Sequence, residues 1–106
     1  QLQPPLNPLT QEKTMSDINA TLEERGDRYG PFKDHAIVAM SLKNVISYEL
    51  DKRNKKLECD QQQALDTICD KIARIVNGDP DYVDNWHDIA GYATLVERRL
   101  QNDAKS

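Results

Sequence analysis

DQQQALDTICDKIARIVNGDPDYVDNWHDIAGYATLVERRLQ, residues 60–101, decides the fold. In its first half Leu65, Ile68, Cys69, Ile72, Ile75 and Val76 recur at spacings that line one side of a helix. Asp60 followed by Gln63 has the pattern of a capping box and predicts where that helix starts. Asn77-Gly78-Asp79-Pro80 then stops it, because a glycine closes the last turn and the proline beyond cannot extend it. Trp86, Ile89, Ala90, Ala93, Val96 and Leu100 form a second apolar face, which predicts a helix from Asp81–Asp84 to about Gln101. Two long helices joined by so short a loop pack as an antiparallel hairpin.

Upstream of the hairpin the same periodicity continues. Phe32, Ala36, Ala39, Met40, Leu42, Val45, Ile46 and Leu50 mark a helix with Pro31 in its first turn, fading in the charged run Asp51–Lys56. A shorter helix is expected over Asp17–Arg25, capped by Ser16 and stopped by Gly26, with residues 26–30 as a tight polar connection. Pro4, Pro5 and Pro8 keep a helix interior out of the first residues, so 1–14 read as a disordered or tag-derived leader, or an extended arm. No stretch alternates with a period of two, and no internal repeat is present. The expectation is an all-α fold: a small bundle of about four helices, with residues 15–106 as one domain.

Composition narrows the function classes. The chain has 106 residues, a net charge of −4, 38% hydrophobic residues and only one Trp, four Tyr and one Phe. A core this lean gains burial by self-association, so a homo-oligomer is expected. An acidic chain lacks the basic face that bulk nucleic-acid binding requires. Cys59 and Cys69 are too few for a disulfide framework or a zinc site, and read as reduced thiols. No apolar run spans a membrane and no secretory signal is visible, which leads to the expectation of a cytoplasmic protein.

Three clusters carry candidate chemistry. Asp66 and Asp70, then Asp84 and Asp88, are like-charged pairs four residues apart; a magnesium ion bridging them would relieve the repulsion and orient water toward a phosphoanhydride. The bland alternative is a helix start that favours Asp84, an Asp70–Arg74 pair, and an Asp66 facing water. Lys71 and Arg74 can meet Asp88 and Tyr92 across the hairpin, either as a phosphate or nucleotide site or as a salt-bridge network that fixes register. Gly91 bears on this cluster, since a mid-helix glycine costs about 1 kcal/mol and implies a close neighbour. Arg25-Gly26-Asp27-Arg28-Tyr29-Gly30-Pro31-Phe32 offers two arginines, Arg25 and Arg28, with Tyr29 leading into a helix start, as an anion site or as a plain turn with Tyr29 and Phe32 as packing anchors. His35 and His87 have no metal-ligand partner at a recognisable spacing.

That last block, Asp70-Lys71-Ile72-Ala73-Arg74-Ile75, and Asp84-Asn85-Trp86-His87-Asp88-Ile89-Ala90-Gly91-Tyr92-Ala93 together resemble a family of small phage and prophage proteins of unknown function. The resemblance covers about Asp17 to Leu100 and implies a tailed-phage accessory protein made in an infected bacterial host, and no particular activity; a nucleotide at the Lys71 and Arg74 cluster or a host protein is the expected partner. A weaker resemblance is to the MazG-type all-α nucleotide pyrophosphohydrolases, which bind magnesium through Glu-x-x-Glu and Glu-x-x-Asp motifs. Asp88 matches the last carboxylate of that set. Asn85 stands where a glutamate is wanted, and Asp66 and Asp70 are spaced by four where the motif has three.

Overall fold

In the computed structural model, which describes residues 8–105 and the side chains of 15–105, four helices follow one another with no strand between them. They are α1 (Pro8–Tyr29), α2 (Phe32–Lys52), α3 (Cys59–Asn77) and α4 (Val83–Lys105). The all-α reading of the sequence holds. Asp60, at the start of α3, receives two hydrogen bonds from Arg99 near the end of α4, at 2.7 and 2.9 Å. That pairing makes α3 and α4 antiparallel over their whole length. Asn77, at the end of α3, bonds the carbonyl of Pro31 at the head of α2, so α2 and α3 are antiparallel too.

Helix α3 is the middle of the arrangement, with α2 against one side and α4 against another; among the described residues α2 and α4 do not meet. The spine of α3 is small where its neighbours press on it: Ala64, Cys69 and Ala73 are buried, as is Ala39 of α2. The result is an open row. Several residues expected in the core therefore lie on the surface, among them Phe32 at 81% exposure, Val45, Val76 and Trp86. Their apolar periodicity was a true helix signal, but one chain supplies no further layer to cover them.

Helix ends depart from expectation in instructive ways. Ser16 and Gly26 do not bound the first helix, which starts at Pro8 and runs through Gly26 to Tyr29. A proline at the first position of a helix loses nothing there, and an interior glycine is tolerated at about 1 kcal/mol. Only residues 1–7 of the supposed leader lie outside the described residues, and the backbone of residues 8–14 is helical. Gly30 is the left-handed stop, with φ of 76° and its N–H on the Gly26 carbonyl at 2.8 Å. The capping box also sits two residues early: Glu58 caps α3 and Gln61 answers it, which leaves Asp60 free for Arg99. Helix α2 fades as expected after Lys52, through Asn54 in the left-handed region.

Candidate functional site

The two glycine-containing turns of the sequence explain each other. The turn between α1 and α2 is stapled to the turn after α3. The Asn77 amide donates to the carbonyls of Tyr29 at 2.9 Å and Pro31 at 3.0 Å, and the Asp79 N–H donates to the carbonyl of Arg28 at 2.6 Å. A side chain on Gly30 would collide with Asn77, and one on Gly78 would collide with the backbone of Arg28 and Tyr29. Glycine is needed at both places because two backbones touch there.

This staple brings together residues about fifty positions apart. The Arg74 guanidinium lies 4.7 Å from the centroid of the Tyr29 ring, and Arg25 lies 5.2 Å from the same ring. Arg28 stacks on Tyr82 at 4.7 Å and donates to its hydroxyl at 3.1 Å, and the two tyrosine rings meet edge to face at 6.3 Å. Arg28 is also paired with Glu24 at 2.7 Å. The Tyr82 hydroxyl in turn donates to Asp84 at 2.9 Å, a bond that raises its pKa, with burial adding to the shift.

Beside Tyr29 opens a groove of about 250 Å³, lined by Leu22, Arg25, Gly30, Phe32, His35 and Arg74 among others. Phe32 stacks on His35 with ring centroids 5.9 Å apart. Burial, followed by the charge of Arg74, lowers the His35 pKa below its ordinary value.

The remaining candidates from the sequence fall into separate groups. Lys71 pairs with Asp88 across the hairpin at 2.8 Å, the register-fixing ion pair that the sequence offered as one alternative. That bond, with the nearby Lys71 charge, lowers the Asp88 pKa. Lys43 of α2 pairs with Asp70 at 2.9 Å and is pushed upward by it. Adjacent residues Asp70 and Lys71 thus tie α3 to a different neighbour each. Tyr92 shares an open concavity on α4 with Asp88, Gly91, Leu95 and Arg98, away from Arg74 and Tyr29. Gly91 has no neighbour within 4 Å of where its side chain would be, so no close packing within the chain accounts for it.

The four aspartates considered for magnesium are each engaged locally. Asp66 accepts from Gln62 at 3.1 Å, Asp70 holds Lys43, Asp84 holds Tyr82 and Asp88 holds Lys71. Among the described residues no three histidine, cysteine or acidic side chains gather closely enough to hold a metal ion. Asn85, at the position where the pyrophosphohydrolase motif has glutamate, is 1% exposed and sealed inside. The donor set does not fit the metal site of that motif.

The block from Arg25 to Phe32 was legible as a candidate anion site, but its partners His35, Arg74, Asn77 and Tyr82 were not. Arg25 and Tyr29 are four apart, a signal that becomes legible only once α1 is known to continue through Gly26. The others meet through the staple and leave no trace in local spacing.

The architecture and this basic, aromatic corner define a small all-α domain with an open helical row and a groove at one end. The chain belongs to the family described as a domain of unknown function (DUF6378), which matches residues 14–100. No curated protein and no solved structure matches the chain. Among the described residues no helix is long and apolar enough to cross a membrane.

Proposed function

We propose that the chain is a self-associating helical binding module, and that it acts by holding a partner or ligand and not by metal-dependent hydrolysis. One observation carries the reading: a lone copy leaves too much apolar helix surface open. The described hydrophobic residues that are fully buried are Ala39, Ala64, Cys69 and Ala73, while Ile37, Met40, Val45 and Tyr48 line the outer face of α2 at 52–65% exposure. An apolar stripe on the outer face of a helix calls for a covering layer. The radius of gyration is 19.1 Å, against about 13 Å for a compact chain of roughly this length.

A second copy is the occupant that best suits this surface. Two open rows laid face to face complete a closed bundle, which is how helical chains bury stripes that one copy cannot. Gly91 supports the same view, because a mid-helix glycine with open space before it lets another helix approach closely. The resemblance in the three sequence blocks supports a phage accessory protein working in the host cytoplasm.

Sedimentation equilibrium across the micromolar range tests the proposal. The expected mass is a multiple of 12.1 kDa, with a thermal midpoint that rises with protein concentration. Met40→Glu places a charge on the outer face of α2 and shifts the population toward monomer. A fully helical monomer at every concentration would overturn the proposal.

A further inference from the structure

We infer that the groove between α1, α2 and α3 is a binding site for a small phosphate monoester with a flat apolar portion, its phosphate held by Arg25 and Arg74. The inference does not depend on self-association.

The cationic side of the site is uncommitted. Most of the strong cations in the middle of the molecule already have a carboxylate: Lys43 has Asp70, Lys71 has Asp88, Arg28 has Glu24 and Arg99 has Asp60. Arg25 and Arg74 have none among the described residues, and both instead lie against the ring of Tyr29. Sitting 5.2 and 4.7 Å from one ring centroid, the two guanidinium carbons are within about 10 Å of each other. An aromatic ring does not neutralise a guanidinium, so both keep a full charge and N–H donors that no carboxylate among the described residues occupies. Paired guanidinium groups favour phosphate because each can present two parallel N–H donors to its oxygens.

Other features of the groove point the same way. Helix α2 begins beside it, and Pro31 caps that helix with no side-chain bond, which leaves first-turn N–H groups open at the positive end of the dipole. The rest of the lining is apolar, from Leu22, Pro31 and the exposed ring of Phe32, which already stacks on His35. A volume of about 250 Å³ is enough to admit a small molecule. A dianion at the arginines with a flat group against Phe32 satisfies both halves of this lining.

Titrating the full chain with phenyl phosphate, inorganic phosphate and phenyl sulfate, followed by NMR, tests the site. Phenyl phosphate is expected to saturate with a dissociation constant below ~1 mM and to move the Phe32, His35 and Tyr29 resonances. Bound negative charge also raises the His35 pKa, against the opposing charges of Arg74, Arg25 and Lys43 and alongside that of Asp70. Inorganic phosphate should bind the same residues at least tenfold more weakly, and phenyl sulfate, a monoanion, should fall between. Arg25→Gln and Arg74→Gln should each weaken phenyl phosphate by about tenfold, the loss of one charge-assisted bond. Arg98→Gln, outside the groove, should leave binding unchanged. Arg25 projects from an exposed helix face, so its variant carries the test even if Arg74→Gln unsettles Tyr29. No saturable response, or equal affinity in Arg25→Gln and the unmodified chain, would overturn the site. Equal affinities for phosphate and phenyl phosphate would overturn the role given to the apolar lining.

Discussion

Two glycines four residues apart should respond to alanine in opposite directions. Gly30 sits in the left-handed region at φ 76°, and a methyl group there collides with the carbonyl and amide of Asn77. The backbone conformation alone costs an L-residue about 1–2 kcal/mol, and forcing a methyl into a packed contact adds roughly 1–3 kcal/mol. Relief by moving Asn77 is not free, since its amide holds the carbonyls of Tyr29 and Pro31, each bond contributing about 1 kcal/mol net. Gly30→Ala should therefore destabilise by about 3 kcal/mol. Gly26 lies in the interior of α1 with nothing within 4 Å of its side-chain position. Gly26→Ala should stabilise by about 1 kcal/mol through helix propensity alone. In a domain of this size 1 kcal/mol shifts the thermal midpoint by about 4–8 °C. Circular dichroism melts at one fixed protein concentration should thus show Gly30→Ala falling by 12 °C or more and Gly26→Ala rising by about 5 °C. If both variants rise, or Gly30→Ala is neutral, the interlocked turns do not exist and the groove they build goes with them.

His35 makes stability depend on pH near neutrality. Its native pKa is lowered by burial and by Arg74, so on acidification the unfolded chain takes up a proton before the native state does. Stability is then fully present above about pH 6.5 and declines as pH falls below it; urea midpoints should drop from pH 7.5 to 5.5, and His35→Gln should flatten that slope. An unaltered slope in the variant would assign the effect elsewhere. The two thiols should differ sharply in reactivity: Cys59 is exposed, whereas Cys69 is buried and its pKa is raised by that burial. A thiol reagent should consume one equivalent per native chain at once and the second only after denaturation, and rapid loss of both would contradict the burial of Cys69.

The helices were legible in the sequence because a stripe at spacings of three and four is a local property, and Ile68, Ile72 and Ile75 announce theirs within a few turns. The ends were less so. Gly26 and Gly30 look alike as punctuation, and only the tertiary contact between Gly30 and Asn77 selects which of them terminates α1. Asp60 with Gln63 and Glu58 with Gln61 both fit the pattern of a capping box, and the structure uses the second, while Arg99, about forty residues away, pairs with Glu58 and Asp60 alike. Burial was the least legible property of all: Phe32 and Trp86 obey the helical period yet lie exposed, since periodicity reports that a face is apolar and not which molecule covers it.

The candidate site divides along the same line. Lys71 with Asp88 was readable, because hairpin geometry alone places residues at those distances from one turn against each other. Arg74 was singled out for the same hairpin, but its side chain faces the other way, to Tyr29 on α1. What redirects it is the staple formed by Gly30, Asn77 and Gly78, which in the sequence read as the end of a tight connection and as an ordinary helix stop. A stop signal needs only one glycine in the left-handed region, and Gly78, with φ of −123°, is not in it. Its glycine is required by contact and not by torsion, which is why the turn chemistry of Asn77-Gly78-Asp79-Pro80 looked complete without a partner. The three positions therefore serve the groove as much as the helices: they hold the end of α1 against α3, and that contact brings Arg74 to the ring that Arg25 already reaches along its own helix.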